Sequence, residues 1–161
     1  MQGSEFDEAD FFRSIEQSGV RALLIGRRAL VALGLPVLTG DYDFWIHIDD
    51  VAAFNAAAEP FGLLPSRTPE DARRFGRYVL ENDERVDVLV ARFVPAIDGT
   101  RVAFDEIWPR RRALDLGDHA GARVHVPALD DLIATKRFAA RAKDLEDIRL
   151  LESLRDQNAE P

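Results

Sequence analysis

Residues Leu23–Ile46, LLIGRRALVALGLPVLTGDYDFWI, decide the fold. VRALLIG is a continuous apolar run of the kind a buried strand takes, and it ends at Gly26. RRALVALG then reads as a helix that stops at Gly34, and LPVLTG as a loop. DYDFWIHI alternates with a period of two. Tyr42, Phe44 and Ile46 face one side, while Asp41, Asp43, Trp45 and His47 face the other. Two carboxylates therefore leave one face of an aromatic strand, although strands disfavour aspartate and like charges side by side repel.

A third carboxylate follows the same logic. RYVLENDERVDVLVA reads as two strands joined by a hairpin turn at Asn82-Asp83. Asp87 interrupts Val86, Val88, Leu89 and Val90, whose pattern asks for burial. Burying such charges bare is costly. Hard divalent cations relieve the repulsion, since Mg²⁺ takes oxygen ligands and is held by a few carboxylates plus substrate phosphates. Two such ions serve in-line displacement at phosphorus. A glycine where strand turns into helix also lets backbone N–H groups approach a phosphate. Strand, glycine turn, helix, Asp-x-Asp strand and a later strand aspartate together predict a site for a nucleoside triphosphate and metal.

Flanking segments complete an α/β (α+β) domain. DEADFFRSIEQSG is an amphipathic helix closed by Gly19, DDVAAFNAAAEPFG a second helix, and RTPEDARRFG a short one started by Thr68 and Pro69. GTRVAFDEIWPRRRAL suggests a strand or short helix ending near Pro109, and ARVHVP a strand. The last segment, ALDDLIATKRFAARAKDLEDIRLLESLRD, reads as two helices broken near Ala142. The expected architecture is one domain over residues 7–156, a central mixed sheet flanked by helices with C-terminal helices. Residues 1–6 read as a tag or disordered segment without structural weight, and residues 157–161 as a tail.

Composition sets the outer bounds. The chain has 161 residues, 47% hydrophobic and 31% charged, with a net charge of −8 and no cysteine. That is one globular domain without disulfides or thiolate chemistry. The acidic balance argues against a broadly basic nucleic-acid binder and is compatible with an acidic site for divalent cations. No apolar run reaches membrane-span length and no signal peptide is visible, so no membrane partner and a cytoplasmic location are expected.

This order resembles the polymerase-β-like nucleotidyltransferase superfamily, particularly its minimal members and the AbiE-type toxins. Gly26-Arg27, thirteen intervening residues, Asp41-Tyr42-Asp43 and Asp87 stand where that family has Gly-Gly or Gly-Ser, Asp-x-Asp and a third acid. The C-terminal lysine, arginine and Lys-Asp-x-x-Asp pattern extends the similarity over Leu23 to Leu151. The resemblance implies a nucleotidyltransferase fold and Mg²⁺ or Mn²⁺ on Asp41, Asp43 and Asp87. An NTP substrate would sit on Gly26, Arg27 and Lys136, with transfer of a nucleoside monophosphate to a hydroxyl of a protein, a tRNA or a small molecule. A toxin–antitoxin setting with a partner protein belongs to the same implication.

Arg27 departs from the family's second small residue. It either reaches over the triphosphate or folds back onto Asp41 or Asp43, in which case the chain is a catalytically degenerate binding or antitoxin-like protein. Plainer alternatives stand beside each residue. Asp87 can pair with Arg77 or Arg85, Lys136 can be a solvated helix lysine, and Trp45 can be core instead of base pocket. Asp144 and Asp147 read as stabilising the start of the last helix. Arg110–Arg112 reads as a solvated basic face, and the three histidines carry no assignment.

Overall fold

The computed structural model describes residues 6–95, 99–116, 121–137 and 142–159. In chain order the elements are α1 (Glu8–Ser18), β1 (Ala22–Ile25), α2 (Gly26–Ala32), β2 (Tyr42–Ile46) and α3 (Val51–Ala58). β3 (Leu64–Pro65), α4 (Pro69–Phe75), β4 (Arg77–Glu81), β5 (Arg85–Leu89), β6 (Phe93–Pro95), β7 (Arg101–Ala103) and α5 (Phe104–Ile107) follow. The chain continues with β8 (Arg112–Asp115), β9 (Arg123–Val126), α6 (Leu129–Arg137) and α7 (Ala142–Ala159). Five strands form a mixed sheet in the order β1-β2-β5-β4-β3, with β2 and β5 parallel and the other pairs antiparallel. β6-β7 and β8-β9 are separate two-stranded ribbons.

Local chemistry sets the boundaries. Asp7 caps α1 by accepting from the Asp10 N–H at 3.1 Å. Thr68 caps α4 by accepting from Asp71 N–H at 3.2 Å, with Pro69 in the first turn. The hairpin turn between β4 and β5 is stapled by Asn82, whose side-chain oxygen accepts the Glu84 N–H at 2.6 Å.

One face of the sheet carries Leu24, Tyr42, Phe44, Ile46, Val86 and Val88, all buried with Phe11 and Phe12 of α1 and Phe54 of α3. Burying each such side chain stabilises the fold by roughly 1.5–3 kcal/mol. Phe6, given no weight on sequence grounds, joins this cluster with ring centroids 5.3 Å from Phe11 and 5.6 Å from Tyr42. Leu23 and Trp45 on the opposite face are covered by Phe104 and Ile107 of α5. That cover does not extend along the whole face, and the uncovered part is a cleft.

Three differences from the sequence expectation have physical causes. The single expected sheet is joined by two ribbons. β6 and β8 escape sequence reading because each is only three or four residues long, with Pro95 ending one and arginines opening the other. The strand and the short helix suggested for Gly99–Leu114 both exist, as β7 and α5. The break expected near Ala142 adjoins residues 138–141, which lie outside the described residues, and α7 continues to Ala159, through part of the expected tail.

Candidate active site

The cleft is built on one row across the sheet: Ile25 pairs with Asp43, Asp43 with Asp87, and Asp87 with Val79. The parallel register of β2 and β5 sets Asp43 and Asp87 directly opposite one another, so their side chains share the uncovered face. Both are half-buried. Gly26 follows Ile25 with φ of 66°, and a Cβ there would lie 2.6 Å from Asp43 Oδ2. Only glycine fits both the backbone and the contact.

Asp41 sits differently. It is exposed, precedes the strand, donates its N–H to Thr39 Oγ1 at 3.1 Å, and accepts at its carbonyl from Arg28 Nε at 3.2 Å. Among the described residues no three carboxylate or imidazole groups converge closely enough to hold a metal ion in this arrangement. Asp43 and Asp87 are the pair brought together, and Asp41 stands just before β2.

Asp87 also has a cation. Arg85, two residues earlier on β5, donates from Nη2 to Asp87 Oδ1 at 3.2 Å and reaches Glu81 at 3.4 Å. The pairing is therefore along the strand, not across it. The hydrogen bonds to Asp87, then the charges of Asp87, Glu81 and Asp41, raise the Arg85 pKa above its ordinary value. Asp41 thus belongs to the electrostatic field of the cleft.

Arg27 does not fold back onto Asp41 or Asp43. Its guanidinium turns away from Asp41 and Asp43 and lies against Asp147, with Nη2 3.2 Å from Oδ1 and Nε 3.3 Å from Oδ2. Lys136 Nζ lies 3.1 Å from the same Oδ2. Asp147 is fully buried, so a single carboxylate from α7 holds a cation from α2 and a cation from α6. The expectation that Asp147 stabilises the helix start is corrected: Asp147 is the hub of a buried ion cluster. Its signal in the sequence was its place beside Ile148 and four residues before Leu151 on an apolar helix face. Lys136 is nearly buried, not a solvated helix lysine.

Two cavities flank the carboxylate pair. One, of about 600 Å³, is lined by Asp43 and Asp87 together with Ser66, Arg67, Arg77 and Arg85. The other, of about 370 Å³, is lined by Gly26, Trp45, Leu132, Thr135, Lys136 and Asp144 among others. Trp45 is core, its Nε1–H donating to Ala91 O at 2.7 Å and its ring 5.5 Å from Phe104. Ser66 and Arg67 were not foreseen as part of the cleft, because nothing in their local pattern places β3 beside β4. Arg110–Arg112 is not a free basic face: Arg110 pairs with Asp131 at 2.9 Å and Arg111 donates to His125 Nδ1 at 3.1 Å. His125 is in turn 2.7 Å from Glu16. No helix among the described residues is long and apolar enough to cross a membrane.

Solved structures share this architecture. The antibiotic-resistance factor ANT(2'')-Ia in solution superposes with a TM-score of 0.61 at 17% identity, over 90% of this chain and 80% of that one. The crystal structure of ANT(2'')-Ia with adenylyl-2''-tobramycin gives 0.58 at 18% identity, over 90% and 86%. The inferred nucleotidyltransferase TM1012 from Thermotoga maritima gives 0.53 at 17% identity, over 94% and 89%. The chain has the polymerase-β-like nucleotidyltransferase fold. No family model matches the sequence, and no curated protein does.

Proposed function

We propose that the protein is a metal-dependent nucleotidyltransferase that moves a nucleoside monophosphate from an NTP to an acceptor hydroxyl. The observation that carries this reading is Asp43 set opposite Asp87, beside a glycine whose side-chain position is filled by the Asp43 carboxylate. Hard oxygen donors on neighbouring strands, within the field of Asp41, fit Mg²⁺ or Mn²⁺. Asp43 and Asp87 would hold the ion, with Asp41 joining from the start of β2. Bound there, the metal would supply charge neutralisation at the phosphates.

The chain's own residues do the rest. The cavity beside Gly26, Thr135 and Lys136 takes the NTP, with its apolar wall against the base. The acceptor oxygen attacks the α-phosphorus, the bond to the β-phosphate oxygen breaks, pyrophosphate leaves, and Asp87 receives the hydroxyl proton. Arg85 must yield part of its hold on Asp87 for this. Arg27 contributes as a positioning residue through Asp147, which holds Lys136 in place. A toxin–antitoxin setting belongs to the same proposal and rests on the resemblance to AbiE-type toxins.

The test is transfer of label from α-labelled NTPs in Mn²⁺ to protein, RNA and small-molecule hydroxyl acceptors. Wild type should transfer and Asp43→Asn should not. A folded wild type that transfers to none of them favours the catalytically degenerate binding protein.

A further inference from the structure

The two cavities on either side of the carboxylates differ in chemistry. In a chain of net charge −8, the larger one carries three guanidiniums against two carboxylates. Arg85 is engaged by Asp87 and Glu81. Arg67 and Arg77 form no ion pair among the described residues. Arg67 is nonetheless held in place: it donates to the Arg77 carbonyl and lies 4.6 Å over the Phe75 ring. Ser66 is fixed too. Its N–H donates to Val79 O at 2.7 Å and its Oγ accepts the Val79 N–H at 3.0 Å, which leaves the hydroxyl proton for a ligand.

Two forked cations beside a hydroxyl donor match the oxygens of a phosphate. An in-line displacement sets the attacking hydroxyl and the departing pyrophosphate on opposite sides of the α-phosphorus. With the NTP on the Gly26 and Lys136 side, the acceptor enters from the Ser66 and Arg67 side, and Arg77, which lines both cavities, stands between them. We propose that the larger cavity is the acceptor subsite and that it takes a small hydroxyl compound carrying a phosphate group, bound by Arg67, Arg77 and Ser66. This rests on the nucleotidyltransferase reading for the direction of approach. The volume, about 600 Å³, is that of a small-molecule site. A polycationic acceptor would meet like charge there.

Calorimetry on the full chain tests it. Protein saturated with Mn²⁺ and whichever of the four α,β-methylene NTPs binds is titrated with ribose 5-phosphate, ribose and tobramycin. Ribose 5-phosphate should bind at least tenfold more tightly than ribose or tobramycin. Arg67→Ala, which alters only the larger of the two cavities, should weaken it at least tenfold while the affinity for the analogue stays within threefold, and Arg67→Ala/Arg77→Ala should weaken it further. Equal binding of ribose and ribose 5-phosphate, or indifference to Arg67→Ala, overturns the proposal. So does a loss of analogue affinity in place of ribose 5-phosphate affinity, which would put the NTP's own phosphates on these arginines. Binding of a short oligoribonucleotide without ribose 5-phosphate overturns the small acceptor. If no analogue binds, the nucleotidyltransferase reading falls, and the same titration on the protein alone still decides the phosphate site.

Discussion

Asp147→Asn should be among the most damaging conservative changes in the chain. The carboxylate is fully buried and is the shared counter-ion of Arg27 at 3.2 Å and Lys136 at 3.1 Å. Asparagine keeps the shape and removes the charge, which leaves two cations facing each other. Arg27, with 27% of its side chain exposed, has some recourse to water, whereas Lys136, with 10%, has little. Removing one partner of a buried pair costs about 3–5 kcal/mol, a fifth or more of the roughly 5–15 kcal/mol that holds a domain together. For a chain of this size that is a fall in Tm of about 6–20 °C. Arg27→Ser should cost less, roughly 1–3 kcal/mol, because Lys136 keeps a counter-charge at Asp147 Oδ2. Urea and thermal unfolding of the three proteins measure this. A Tm for Asp147→Asn within about 2 °C of wild type would refute the argument that this cluster joins α2, α6 and α7.

Gly26→Ala forces an alanine to φ near 66° and places its Cβ 2.6 Å from Asp43 Oδ2, so Asp43 must swing aside. The expected result is a stability loss of about 1–2 kcal/mol from the backbone and a much larger loss of transfer, read by unfolding and by labelled-NTP assay. Arg85→Ala frees Asp87 from its strand neighbour. Unfolding should be unchanged, and Mn²⁺ titration should show tighter binding. Asp50, held by hydrogen bonds from Arg21 at 2.9 Å, has its pKa lowered chiefly by that side-chain bond. A lowered pKa in the folded state adds stability that is full above the unfolded value near 3.9 and is lost as pH falls through the folded value. Asp50→Asn should therefore be less stable than wild type at pH 7, with the gap closing below about pH 4.

Periodicity carried the reading as far as contacts within a segment or between neighbouring strands reach. The alternation around Asp43, the hairpin at Asn82, the helix stop at Gly19 and the helix start at Thr68 depend on a few residues each, and they lie where those residues place them. That Asp43 and Asp87 share a row needed the register of two strands far apart in sequence, which the pattern suggests but does not fix. Arg27 shows the limit. Local chemistry offered it the nearby aspartates as carboxylate partners, and the carboxylate it pairs with lies 120 residues away. Asp147 looked like a helix-start acid for the same reason. Likewise, Arg110–Arg112 looked solvated because its partners Asp131 and His125 arrive from later elements.

The central claim, that Asp43 and Asp87 form a nucleotide–metal centre, is tested most directly by unfolding with and without NTP and Mn²⁺. At a ligand concentration of 100 times Kd, wild type should gain about 2.7 kcal/mol, a rise in Tm of roughly 5–11 °C. Asp43→Asn and Asp87→Asn should show no such rise while folding normally without ligand. A wild type indifferent to NTP and Mn²⁺, or a rise that survives in both variants, would contradict the account.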